Sequence, residues 1–517
     1  MEHRVENGKI ENGFALPENT KPTVIDSQNA KTLDVSMMTP AQKRREKIAI
    51  LKNVLTISMG FLFLFTAFQS LQNLQSSLNV DEGRGLASLS VIYASLIVSC
   101  MFVPPYLIGR LGCKWALVVS MISYVLYTVA NYYVQWWTLI PASFLVGLSA
   151  APLWSSKCAY LTTSAIRYCE LNKETQEAVV TRFFGIFFLI FQSGQIWGNL
   201  ISSMVLKTGE GEDAFRPNAA EVCGAKFFTM PKDPVNKTNS THASYKPPQK
   251  LVITMLSIYV AIGAFAVVFI MIFLKRLTGS MSRKKDEVSG MKLLIATMKH
   301  VWQDHRMKLI VPLTIYSGLE QAFVFGDFTA AFVTCSIGIH RVGLVMICFG
   351  VTDAAFSFIL GKLTQYTGRF PIFLAGFFVH LTAIVTMLVW MPSRDYVWVF
   401  YVLAALQGFC DAIWQTQINA LYGCYFPDNQ EPAFSNYRLW ESLGFVVAFA
   451  YGNYLGISVK LYILLTVLLQ GMMGYFASEI IHYRKEKNSL DISPGPGTEM
   501  AQTNAALEGE DQLSKKA

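Results

Sequence analysis

The chain has 517 residues, of which 52% are hydrophobic and only 15% charged, with a formal net charge of +8. Soluble domains carry about 25% charged residues, so an ordinary soluble fold is excluded. The basic excess lies between apolar blocks, where membrane topology explains it, and nothing in it suggests nucleic-acid binding.

The expected fold is an all-α membrane protein with twelve transmembrane helices in two pseudo-symmetric six-helix bundles. Residues 1–48 are polar and read as a cytoplasmic tail. The first apolar block is too long and too late for a cleaved signal. Blocks of roughly 20 residues, enough to cross ~30 Å of hydrocarbon as a helix, then recur. They lie near 50–71, 86–108, 115–130, 137–159, 183–206 and 251–274. After a basic linker at 276–308 come 309–337, 342–360, 370–391, 397–425, 439–455 and 459–481. The bundles are assigned to 49–275, with an external loop at 207–250, and to 309–483. Residues 484–517, with "SPGPG" and scattered acids, read as a disordered cytoplasmic tail.

Basic clusters orient the stack. Lys43, Arg44, Arg45 and Lys47 precede span one, and Arg110 and Lys114 follow span two. Lys275, Arg276, Arg283, Lys284 and Lys285 follow span six, and Arg484, Lys485 and Lys487 follow span twelve. Alternating spans put all four places on one side, expected to be cytoplasmic together with both termini. The sequons "NKT" at Asn236 and "NST" at Asn239 fall in the loop placed outside, as candidate glycosylation sites. In the linker, Met291, Leu294, Ile295, Met298, Val301 and Trp302 share one face of a helix expected to lie on the membrane surface and bracket the halves, with partner binding as the alternative.

None of the nine cysteines has metal-ligand spacing. Cys223, in the largest loop, is a candidate for a disulfide, with Cys335 at the end of span seven as a partner that spacing alone does not establish. No GxSxG, HExxH or P-loop occurs. A non-enzyme without cofactors is expected.

The halves resemble each other. "PYLIGRLGCK" (105–114) after span two matches "GKLTQYTGRF" (361–370) after span eight, aligning Gly112 with Gly368. "TAFQSLQN" (66–73) in span one matches "TIYSGLEQ" (314–321) in span seven, aligning Gln72 with Glu320. The glycine-and-basic turn is similar to the cytoplasmic loop signature of the major facilitator superfamily, without its acidic residue; Gly109 and Gln365 stand there. That fold places a central cavity between the halves, lined by spans one, four, seven and ten.

The polar residues follow that plan. Span one carries Gln69, Gln72, Asn73 and Gln75, and span four carries Lys157. Span seven carries Glu320, Gln321 and Asp327, and span ten Gln407, Asp411, Gln415, Gln417 and Asn419. Spans three and six have no charge or amide, span nine has His380, and span twelve is read as apolar but for Gln470 and Glu479. Gln192, Gln195 and Asn199 make a polar face on span five, and Glu320 and Asp327, seven apart, share a face.

Gln72, Asn73, Lys157, Gln192, Glu320, Asp353, Asp411 and Gln415 are therefore the cavity or binding candidates. Taken singly, each amide is read first as a hydrogen bond between helices. The charged ones are candidates for a coupling site or for fixed ion pairs. Lys157 is a candidate partner for Asp353 or Glu320, Arg438 and Glu441 suit a local pair, and Asp327 is expected to be solvated near the outer surface.

Longer strings are more specific. "SAAPLWSSKCAYLT" (149–162), "RFFGIFFLIFQSGQIWGNLIS" (182–202), "IYSGLEQAF" (315–323), "DAIWQTQINALYG" (411–423) and "FSNYRLWESLGFVVAF" (434–449) resemble the uncoordinated-93 family, nearest its homologue A branch. The likeness runs from about Lys52 to Tyr483. It departs at Lys157, where the family commonly has Gln. The resemblance implies a major facilitator fold in the plasma membrane and an accessory role, such as regulating a potassium channel. The polar lining suggests the alternative, a secondary transporter of a small polar or cationic solute, proton-coupled through Glu320, Asp353 or Asp411.

Overall fold

The computed structural model describes residues 38–79, 81–174, 176–207, 222–227, 247–276, 299, 304–426 and 430–492. Asn236, Asn239, the linker's apolar face and the outer parts of both tails lie outside the described residues. All regular elements among the described residues are helical. Span one is Pro40–Leu78, and spans two and three form Arg84–Ala130. Spans four to six are Trp136–Asn172, Gln176–Lys207 and Gln249–Phe273. Span seven is His305–Ile337. Spans eight to ten are His340–Thr367, Phe370–Val389 and Val397–Tyr425, and the last two are Gln430–Tyr451 and Ile457–Ile492.

Among the described residues, eleven segments are long and apolar enough to cross a membrane. Span eleven is the exception, because Asn436, Arg438 and Glu441 interrupt its first half. It also corrects the expected boundary of 439–455. Arg438 and Glu441 pair within the helix at 2.8 Å, so the helix starts earlier than its apolar stretch, and it stops at Tyr451. Most other helices likewise overrun their apolar blocks at one or both ends.

The doubled sequence gives doubled packing. Span one packs on five and six as seven packs on eleven and twelve. Between the halves, two meets eleven as five meets eight. Lipid gives helices no hydrophobic reason to associate, so close backbone approach at small residues matters. A Cβ on Gly147 would stand 2.2 Å from the Ile92 carbonyl oxygen, and one on Gly408 would stand 2.3 Å from that of Phe349. These are the matching four–two and ten–eight contacts. The five–one and eleven–seven contacts match as well: a Cβ on Gly198 would lie 2.0 Å from the Thr66 carbonyl oxygen, and one on Gly444 2.3 Å from that of Ile315.

The aligned turn glycines match in backbone too. Gly112 has φ 71° and ψ 164°, and Gly368 has φ 75° and ψ 178°. Only glycine enters this region cheaply. No atom would crowd a Cβ at either position, so backbone conformation alone sets the requirement.

The halves are closed at one end of the bundle and parted at the other. At the end bearing residues 79–83, 334–339 and 452–456, here the loop end, Ser77 bonds Thr334 at 2.8 Å and Asn453 donates to the Gly83 carbonyl at 2.9 Å. Nearer the middle, Tyr93 stacks on Phe445 with centroids 4.0 Å apart. Two turns further toward the opposite, linker end, Cys100 is exposed and the Arg438 side chain is 63% exposed. Each lies seven residues from its half of the stacked pair, on the same helix face. The facing sides of spans two and eleven are therefore left uncovered toward the linker end, which opens a recess between the halves there.

Candidate functional site

Four carboxylates gather in the second half. Glu320 on span seven, Asp353 on eight, Asp411 on ten and Glu441 on eleven are all buried. Glu320, Asp353 and Asp411 lie within electrostatic reach of one another, and Glu441 within reach of Asp411. Their surroundings differ. Glu441 accepts from the Tyr437 hydroxyl at 2.8 Å, from Arg438 at 2.8 Å and from Gln415 Nε2 at 3.1 Å. Asp353 accepts from Ser357 at 3.2 Å and, across the halves, from Gln192 Nε2 at 3.5 Å. Asp411 keeps one carboxylate oxygen buried and unbonded. Glu320 keeps both unbonded, at 1% exposure.

The other candidates divide. Gln415 belongs to the Glu441 network, and its Nε2 also donates to Ser317 at 3.1 Å. Gln72 donates to the Tyr93 hydroxyl at 3.1 Å, bracing the stacked pair. Asn73 donates to Asn199 at 3.1 Å, in a network that includes Ser70 and Tyr259 and ties spans one, five and six. These bonds hold helices together, the ordinary use of an intramembrane amide.

Two expectations are corrected. Lys157 pairs with neither Asp353 nor Glu320. Its ammonium sits among the rings of Phe187, Phe188, Trp154 and Phe184, 4.6 to 5.2 Å from their centroids. Four aromatic faces attract the cation there by their quadrupoles. Asp327 is buried, not solvated, and accepts from Lys460 of span twelve at 2.6 Å. Lys460 is itself fully buried and also donates to the Gly452 carbonyl.

Nor do Glu320 and Asp327 share a face. Residues Phe323–Thr334 form a π-helix, whose i→i+5 bonding widens each turn. Asp327 consequently turns to span twelve while Glu320 stays toward eight and ten. The π segment had no signal in apolar periodicity. Lys460 is a charge legible in the sequence, at the very start of span twelve.

His380 had seemed an isolated polar residue of span nine. It is the hub of a buried cluster in which Trp414 Nε1 donates to Nδ1 at 3.0 Å and the Tyr316 hydroxyl lies 2.8 Å from the same nitrogen. Indole donates only, so Nδ1 is an acceptor and Nε2 carries the proton. Cys223 and Cys335 form the disulfide for which they were candidates. No group of His, Cys, Asp and Glu suited to a metal ion occurs among the described residues.

A family model described as "Ion channel regulatory protein UNC-93" matches residues 76–476. The chain belongs to the UNC-93 family. It is 46% identical over 449 residues to protein unc-93 homolog A of Xenopus laevis, covering 86% of this chain and 96% of the relative. The human homolog A is 44% identical over 434 residues, covering 83% and 93%. A Caenorhabditis elegans relative named "Putative potassium channel regulatory protein unc-93" is 38% identical over 450 residues, which are 86% of this chain and 63% of that protein.

Among solved structures, the nucleoside transporter NupG matches with a TM-score of 0.58 at 13% identity, covering 83% of this chain and 99% of that one. That likeness establishes the major facilitator fold of this UNC-93 family member and nothing of its activity. The family strings quoted above carry the site. "IYSGLEQAF" contains Tyr316, Ser317 and Glu320, "DAIWQTQINALYG" contains Asp411, Trp414 and Gln415, and "FSNYRLWESLGFVVAF" contains Tyr437, Arg438 and Glu441.

Proposed function

We propose that this protein is a non-enzymatic accessory subunit of the plasma membrane that modulates an ion channel, most directly a potassium channel, on a transporter-type scaffold. The observation that carries this reading is the 38% identity, over most of the chain, to a nematode protein named as a potassium channel regulator. The basic clusters support a cytoplasmic position for both termini and the linker end. The loop end then faces outward, with Asn236 and Asn239 as glycosylation sites. The test is co-expression with two-pore potassium channels in oocytes. Current or surface level should change with some member of that channel class; no change across the class would overturn the reading.

One observation favours a second activity on the same scaffold. A buried carboxylate with no donor and no cation needs a counterpart, and Glu320 has none among its described neighbours. A proton or a small cationic solute entering the recess from the linker end would supply it. Asp411, Asp353 and Gln192 complete the proposed site, while Gln72, Asn73, Gln415 and Lys157 hold its frame. Uptake by purified protein in liposomes under a pH gradient tests this activity. Uptake that survives Glu320→Gln unchanged removes Glu320 from it.

A further inference from the structure

We propose that the π-helical segment Phe323–Thr334 of span seven is a two-position gate, held in its present register by three anchors at the loop end. The first anchor is the pair Asp327–Lys460. The second crosses the seam between the halves: Thr329 meets Ser76 at 3.4 Å and Thr334 meets Ser77 at 2.8 Å. The third is the Cys223–Cys335 disulfide, which fixes the residue directly after the segment.

The third anchor also serves the first. Residues 222–227 of the loop between spans five and six dock on the second half. Gly224 lies against Pro392 and Phe332. The Phe227 carbonyl accepts from the Ile457 amide at 3.2 Å, and the Ala225 carbonyl accepts from Ser458. Ile457 and Ser458 form the first turn of span twelve, the turn before Lys460. One strap therefore grips span seven directly after the π segment and span twelve just before Lys460.

A π-helix is the rarer and less stable pitch, and it recurs at functional sites. A return to α pitch changes which way Asp327 faces. Seven residues of α-helix bring it back to the face of Glu320, toward the acids and the recess. Thr329 and Thr334 turn with it, off Ser76 and Ser77, and the loop end loses these two seam bonds. The two pitches thus correspond to two discrete arrangements of one element, of the kind that switches use. In one, Asp327 is neutralised by Lys460 and the loop end is shut. In the other, Asp327 joins the acidic group and the loop end parts.

The test uses the purified full-length Ser76→Cys protein in nanodiscs, with no channel present, so its outcome is separate from that of the channel reading. Maleimide labelling is read peptide by peptide by mass spectrometry, before and after a water-soluble phosphine reduces the disulfide, and again with Lys460→Met. Releasing an anchor should raise labelling at position 76 about ten-fold, a shift of ~1.4 kcal/mol. Labelling of the native Cys100 in the recess should fall in step as the linker end closes. Unchanged labelling at 76 with Cys223 and Cys335 fully reduced overturns the proposal, and so does a rise at both positions. Should the Ser76→Cys protein fail to fold, hydrogen exchange of the unaltered chain decides. Reduction should speed exchange in residues 323–334 while spans three and six hold, and equal rates before and after reduction contradict the gate.

Discussion

At the scale of single residues, burial and partnership separate side chains that composition makes alike. Asp327 and Glu320 are both intramembrane acids on span seven, yet one has a fully buried lysine and the other has no donor or cation among the described residues. Breaking a buried pair strands a charge and costs roughly 3–5 kcal/mol. Lys460→Met should therefore sharply lower the melting temperature measured by fluorescence-detected size exclusion. Asp327→Asn in the same chain should restore most of the loss, and a double variant no better than the single would show that Lys460 acts otherwise. Glu320→Gln should leave melting unchanged or raise it, because the neutral amide is cheaper to bury than a charge; a large fall would reveal a partner for Glu320.

Outside the membrane, Glu174 is held below the ordinary carboxylate range by Arg182 and Asn172. A lowered folded-state value stabilises above the unfolded value, about 4.3, and the gain is lost as pH falls through the lowered value. Glu174→Gln should therefore narrow the stability gap between pH 7 and pH 3, measured by melting, by a small margin fitting an exposed site. An unaltered gap would show that the contact with Arg182 does not matter in solution.

At the scale of elements, the repeat pairs the two halves helix by helix, and its glycines mark where backbones touch or turn. Gly368→Ala should cost about 1–3 kcal/mol, the price of a non-glycine residue in that backbone region, although open space surrounds the position. Gly408→Val should cost at least as much for a different reason, since its Cβ would meet the Phe349 carbonyl oxygen. Circular-dichroism melts of both variants, with Gly185→Ala as a control in open space, check the pair.

The same contrast explains what could be read in advance. Long apolar runs and aligned glycines are local signals, so span positions, the duplicated unit and the concentration of polar groups in spans one, seven and ten were legible. The π pitch of span seven depends on tertiary anchors and leaves no period of its own, so the face of Asp327 was misjudged. The start of span eleven was obscured because Arg438 and Glu441 satisfy each other inside the helix. Charge alone suggests an acid for Lys157, but its ammonium meets four aromatic rings instead.

At the scale of the whole molecule, two six-helix halves meet tightly at the loop end and part toward the linker end, with acids at the depth where they diverge. The scaffold is that of a transporter, while the family description and the nematode relative point to channel regulation. The two readings part over what else the protein must hold. An accessory subunit acts by contact and needs a lasting partner; a transporter needs only its solute. Affinity purification of the full-length protein from native membranes in mild detergent measures this directly. A potassium channel should co-purify in near-stoichiometric amount, and channel-free protein from cells that express such channels would contradict the regulatory role.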